Sequence, residues 1–338
     1  MLMPGIKLRF LVPLVLMSAI LLSCGDPKQE KFTEKDKIAS VGLGIHRYEQ
    51  ALFPLDPQTL ETSLPALSKE YSFFLGDQYL EPENLARLKE YLSDSLIRSL
   101  YVSTQKAYPS LDTLENELGV ALAYYQESFP GRKIPEVYTY ISGLDYENPV
   151  RFVDSVLLIA LDMYLGSSAR YYQQLGIPAY KCLGMDREYI AGDCMKQIAF
   201  PLIRDSKRDK TLLDWMLMQG KVLYFLDLTL PGKEDALKIA YSPAQLEWCK
   251  ENEAMIWSFL ISKKLLYNTD KQQVQDFIAD APFTKGFPKE SPGRTGVWTG
   301  WQIVRAYMKN NPKISLQELF NNEDAQQILQ HSGYKPKK

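Results

Sequence analysis

The sequence predicts an α+β fold that is mostly helical, organised as one domain around a small β-sheet. Three observations carry that reading. Apolar residues recur at helical spacing along most of the chain, as in Leu85, Leu88, Tyr91, Leu92 and Leu96. Two short runs near the middle, Val137 to Ile141 and Ser155 to Leu161, drop that period and are β-branched or continuously apolar. Beyond Gly166 the helical period returns, with the capping boxes Ser242-x-x-Gln245 and Ser315-x-x-Glu318 marking two helix starts.

Taken in order, the chain opens with Lys7 and Arg9 and then an apolar run from Phe10 to Leu22, interrupted by Pro13 and Ser18. That run has the length of a signal peptide core and is too short to stay as a membrane-spanning helix. It ends at Leu21-Leu22-Ser23-Cys24, which resembles the bacterial lipobox. Residues 1–23 therefore read as a lipoprotein signal peptide, with Cys24 as the lipid attachment site. The acylated thiol holds the protein on a membrane, since acyl chains contribute roughly 0.8 kcal/mol per buried CH₂. Residues 24–44 read as a solvated tether because Lys28, Glu30, Lys31, Glu34, Lys35 and Asp36 leave few apolar residues, and Gly42-Leu43-Gly44 reads as its flexible end. Residues 45–338 read as the globular domain, with order beginning near His46 to Phe53.

Asp56-Pro57, Glu81-Pro82 and Ser110 each read as a helix start, and the third helix carries the stripe Leu111, Leu114, Leu118, Leu122 and Tyr125. This helical group ends at Pro130-Gly131. The two strands follow, separated by the polar stretch Gly143 to Asn148. Further helices are predicted over Asp186 to Ile203, Asp209 to Leu228 and Ser242 to Leu266.

Removal of the signal peptide takes the basic count from 39 to 37 against 41 acids, a net charge near minus four that offers nothing to nucleic acid. Cys182, Cys194 and Cys249 have no CxxC spacing, so they read as small buried hydrophobes, with one bridge between two of them as the alternative. The chain has two histidines, His46 and His331, one near each end of the mature chain. Neither has a second ligand one helical turn away, which rules out an HExxH site, and no Gly-x-Ser-x-Gly elbow presents a nucleophile. Ser103-x-x-Lys106 lacks its partner motifs. Asp145, Glu147 and Asp154 flank the strands and read as solvated charge or as an acid/base or Ca²⁺ cluster. Gly293, Gly296 and Gly300 recur as the chain enters a helix, which reads as close helix packing, or as a pocket in which Arg294 contacts an anion or a carboxylate. The dense aromatics from Tyr171 to Trp301 mostly fall at helical spacings and read as core packing, with a ligand cleft as the alternative.

Several segments resemble one family. Leu144-Asp145-Tyr146-Glu147-Asn148, Leu158 to Gly166, Gly220 to Asp227, and Ser291 to Gly296 running into Gly300 to Arg305 are similar to the gliding-motility lipoprotein GldB family of the Bacteroidetes, as are the lipobox and the ending Gly333 to Lys338. The resemblance implies a lipid-anchored protein of the cell envelope that faces the periplasm or the cell surface. Its implied partners are the membrane and other envelope or gliding-machinery proteins, and the resemblance carries over no catalytic residue or cofactor to this chain.

The order of parts also bears a more distant likeness to predicted zincin-type Zn-dependent proteases, whose first helix carries HExxH. That likeness implies a zincin-like domain with Asp193, Gln197 and Gln219 in the former ligand places, facing one another between two helices. Two amides and a carboxylate are poor ligands for zinc, so the expectation is a pseudo-enzyme with no metal and no cofactor. The alternatives are a peptide- or glycan-binding cleft in the same place, or an unrecognised hydrolase.

The anchor is directly testable. Cys24→Ala should abolish incorporation of labelled palmitate and leave the precursor uncleaved or the protein released, whereas continued labelling would overturn the lipobox reading.

Overall fold

Residues 41–337 are described by the computed structural model, so the signal peptide, Cys24 and the tether up to residue 40 lie outside the described residues. The last tether residues are not a free end. Val41 and Leu43 are partly buried against the core, and the chain enters the first strand directly behind them.

The sheet has four strands, β1 (Ile45–Arg47), β2 (Glu136–Tyr140), β3 (Val150–Val153) and β4 (Val156–Ala160), in the order β1-β2-β4-β3. The predicted strands correspond to β2 and β4, and these pair in parallel, with Val137 opposite Leu157 and Thr139 opposite Ile159. They are not two arms of one hairpin. The hairpin partner of β4 is β3, joined to it through Asp154 and Ser155 at φ 49° and 66°. A two-residue hairpin turn of this hand needs positive φ at both positions, which Asn-Gly usually supplies. Asp-Ser carries no such signal, and β3 escaped the sequence reading for that reason. β1 is three residues long and has no period to detect. Leu157, Ile159 and Ala160 are fully buried, as a strand covered on both faces requires.

The longer helices are α1 (Leu60–Leu67), α2 (Pro82–Ser93), α3 (Ser95–Ala107), α4 (Asp112–Ser128), α5 (Ile190–Ala199), α6 (Leu212–Thr229), α7 (Pro243–Glu251), α8 (Glu253–Ser262), α9 (Lys271–Ile278), α10 (Thr295–Asn310) and α11 (Ala325–Ser332). α2 begins with Pro82 in its first turn, and the stripe Leu114, Leu118, Leu122 and Tyr125 of α4 is buried as predicted. Both capping boxes form, at Ser242 with Gln245 and at Ser315 with Glu318. Boundaries differ from expectation in several places, and the helix predicted from Asp209 starts at Leu212 behind the Thr211 cap. Asp56 accepts from the Gln58 amide in a turn, and α1 starts at Leu60. Leu96 belongs to α3, which Asp94 caps through the Ile97 amide. The predicted helix from Ser242 breaks at Asn252 into α7 and α8.

α6 and α10 form the centre of the molecule. A Cβ on Gly300 would lie 1.9 Å from the Met216 carbonyl oxygen, and one on Gly220 would lie 2.5 Å from the Gly300 carbonyl. The two backbones therefore touch, and the glycine spacing serves helix packing. Past this crossing, Asp227 of α6 accepts from Trp301 Nε1 at 2.9 Å, from Arg305 Nε at 2.7 Å and from Lys238 Nζ at 2.9 Å. Arg305 also forks onto Asp235 through two contacts of 2.8 Å and lies 3.7 Å over the Trp301 ring. Burial raises the Asp235 carboxyl, but the bond and charge of Arg305 outweigh it and hold that carboxyl below its usual range. The three described cysteines are buried and free.

Alanine in place of glycine inside a helix ordinarily stabilises by up to about 1 kcal/mol. At Gly300 the sign should reverse, because the new methyl meets backbone that cannot yield, and the expected loss is about 3 kcal/mol or more. Gly192→Ala is the control, since its Cβ would meet only Leu226 at 3.9 Å. Urea unfolding of the two variants measures the difference.

Candidate functional site: a polar cleft beside the sheet

α5 packs against α6 through Gly192, next to Leu226, and this turns the Asp193 and Gln197 positions away from α6. They border a cleft of about 290 Å³ together with Tyr146, Tyr164, Lys181 and Arg294. Its outer wall is the loop between β2 and β3, and the fully buried Asp162 holds that loop in shape. The Asp162 carboxylate accepts from the Ser142 amide and the Leu144 amide at 2.8 Å each, and from the Ser142 hydroxyl. Leu144 takes φ 71° there, a conformation that needs such support. Burial raises the Asp162 carboxyl while these hydrogen bonds oppose the rise.

Charges around the cleft are paired. Asp193 accepts from the Tyr164 hydroxyl at 2.9 Å and from Lys196 Nζ at 3.0 Å. Lys181 meets Glu147 at 3.0 Å and lies over the Tyr146 ring at 5.0 Å, and Arg294 meets Asp280 at 2.9 Å. The Tyr164 hydroxyl is pushed far up by burial and then by the Asp193 charge, so it is a neutral donor at ordinary pH. Beside it, burial pushes the Cys194 thiol well up, which keeps it a thiol and a poor nucleophile. The arrangement suits recognition of polar or charged groups through exchange of existing ion pairs.

The residues singled out in the sequence divide as follows. Asp193, Gln197 and Arg294 come together at the cleft. Gln219 does not line it, which corrects the expected three-way cluster. The α5 contact with α6 falls at Leu226, and Gln219 is seven residues, or about 10 Å of helix, nearer the start of α6. Arg294 sits at φ 59° just before α10, and its guanidinium also donates to the Ile239 and Ala240 carbonyls at 2.8 and 3.3 Å. His46 bonds Glu70 at 2.9 Å and stacks on Tyr138, and His331 lies in the last turn of α11. Ser103 bonds the Tyr171 hydroxyl at 2.9 Å, with Lys106 exposed. Asp145 pairs with Arg151 at 2.5 Å, and Asp154 belongs to the β-turn. Among the described residues no three His, Cys, Asp or Glu side chains converge in a way that could hold a metal ion.

Sequence reasoning missed Tyr164, Lys181 and Lys196. Only Lys196, three residues after Asp193 on one helix, left a detectable signal. It also missed Lys221, which is 4% exposed on α6 and donates to the Asn322 carbonyl at 2.6 Å. Neighbouring cations have acids, as in Arg204 with Glu323 and Lys207 with Asp214, but no carboxylate pairs with Lys221 among the described residues.

Fold and cleft together define a helical α+β protein with an ion-paired recess beside a mixed sheet. The sequence profile of the family described as Gliding motility protein GldB matches residues 28–336, and the chain belongs to that family of gliding-motility lipoproteins. The family places it in the envelope as a membrane-anchored lipoprotein. No helix among the described residues is long and apolar enough to cross a membrane. Neither a protein of curated function nor a solved structure matches the chain.

Lys221, on α6 beside Asn322 and apart from the cleft, gives the folded protein a pH signature. Burial pushes it down to about 8 from its ordinary 10.5. Between those values the unfolded chain binds a proton that the folded chain does not, so this lysine makes stability rise with pH, by up to about 1.4 kcal/mol per unit. Lys221→Met should flatten that rise between pH 8 and pH 10.5. Comparing the two proteins cancels the buried tyrosines and thiols, whose raised values act in the opposite sense. Equal slopes in denaturant titrations across that range would refute the assignment.

Proposed function

We propose that this protein is a non-catalytic, lipid-anchored component of the gliding machinery, held by acylated Cys24, whose body presents a surface to other envelope proteins. In this reading the domain is a zincin-like scaffold without metal ligands. The observation that carries it is the state of Asp193. Its carboxylate, in a former ligand place, is occupied by the Tyr164 hydroxyl and Lys196, and the position one turn on is the amide Gln197. The two imidazoles that a zinc site needs are found on β1 and at the end of α11, neither of them on α5.

The purified protein should retain no stoichiometric zinc after dialysis. Elemental analysis giving about one zinc per chain would overturn the pseudo-enzyme reading.

A peptide- or glycan-binding role is the second reading. It is favoured by the cleft of about 290 Å³, where Tyr146 and Tyr180 border groups that can exchange hydrogen bonds. The double variant Asp193→Ala, Gln197→Ala separates the two. Under the structural reading, motility should follow protein abundance, with stability lowered by roughly 1 to 3 kcal/mol because Lys196 and Tyr164 lose their acceptor. A variant that folds, anchors and accumulates normally yet abolishes gliding would assign the cleft a direct role.

A further inference from the structure

We propose that the outer face of α8 and the turn after it, Met255 to Lys271, is a membrane-contacting surface that rests on an anionic bilayer. The proposal builds on the membrane-anchored character of the family, and it concerns the body of the protein, not its anchor.

α8 reads Glu-Ala-Met-Ile-Trp-Ser-Phe-Leu-Ile-Ser and is apolar on nearly every side. Its inward face is complete without the outer residues, because Ile256 and Leu260 are fully buried. Outward, Met255 is 40% exposed and Ile261 is 50% exposed, and Tyr267 in the following turn is 57% exposed. Met255, Ser258 and Ile261 are three residues apart in succession, so they form one exposed stripe. Trp257, packed edge-on against Tyr334 at 5.2 Å, borders that stripe one turn before Ile261. Of the other exposed large hydrophobics, Phe73, Val153 and Leu175 stand singly, and Leu96 and Val102 share α3 with no cation cluster like Lys263 and Lys264 beside them.

The charges select the occupant. Lys263, Lys264 and Lys271 are exposed, and no acid pairs with them among the described residues. The one acid between Met255 and Lys271 is Asp270, whose carboxylate caps α9 through the Gln273 amide. The patch is thus cationic in a chain of net charge −2. Aliphatic and aromatic tips set between unpaired lysines match an interface that is apolar below and anionic above, with the lysine stems snorkelling to the headgroups. A tether to the same bilayer supplies the effective concentration that lets a few such contacts hold the body against the surface.

The acylated full chain is reconstituted into phosphatidylcholine vesicles, with or without phosphatidylglycerol, and an environment-sensitive fluorophore is placed at Ile261→Cys. The described native cysteines are buried, which directs the label. Lipids brominated in the acyl chain should quench position 261 strongly, and should not quench the same label at Val102→Cys on α3. Tyr267→Glu should lower the quenched fraction about tenfold, the effect of losing one buried large side chain. Lys263→Glu with Lys264→Glu should lower it only in vesicles that contain phosphatidylglycerol, by roughly fivefold or more per lysine. Equal quenching at 261 and 102, or none at 261, overturns the proposal, as does protection of 261 that appears only in native envelopes and needs another protein. A chain that fails to float with vesicles refutes the anchor, and quenching is then read on labelled chain added to excess vesicles.

Discussion

The contact on which the rest of the structure depends is the backbone crossing of α6 and α10 at Gly220 and Gly300. Two helices can approach this closely only where neither carries a Cβ at the crossing, and the approach fixes what lies on both sides of it. Toward one end it brings Trp301 and Arg305 onto Asp227, so a partly buried cation and two carboxylates are mutually satisfied. The Arg305 fork fits both carboxylates only in one alignment, which makes the pairing a specifier of register between the helices. Toward the other end, Gly296 seats α10 against Phe277 of α9, and Gly293 passes close to Ala281.

The cleft follows from the same frame. α6 positions α5 through the contact of Gly192 with Leu226, and the entry to α10 delivers Arg294 from the opposite side. The sheet closes the third side because β4 is inserted between β2 and β3, which leaves the loop before β3 to be shaped by Asp162. Each acid at the rim has a basic partner within about 3 Å, so the recess is polar without a strong net field. A ligand entering it would exchange one set of paired charges for another, which favours specificity over raw affinity.

Membership of the gliding-motility lipoprotein family joins these features to a membrane. The cleft is charge-neutral where the face of α8 is cationic and apolar, so the two surfaces differ in chemistry.

The sequence by itself determined the class of fold, the family, most helix starts and the two central strands, because these rest on local signals. Caps at Ser242 and Ser315 satisfy amides within three residues of themselves, and the leucine stripe of α4 needs only its own period to declare its buried face. The helix-packing role of the glycines from Gly293 to Gly300 was legible as one of two readings, while their partner at Gly220 was not. Tertiary structure alone decided that β2 and β4 are parallel neighbours, that β3 exists, and that Asp193 joins Tyr164 and Lys181 while Gln219 stays apart. Each of these depends on which faces of separate elements meet. Parallel pairing is set by the path of the connecting chain, and the direction of Asp193 is set by which side of α5 faces Leu226 of α6.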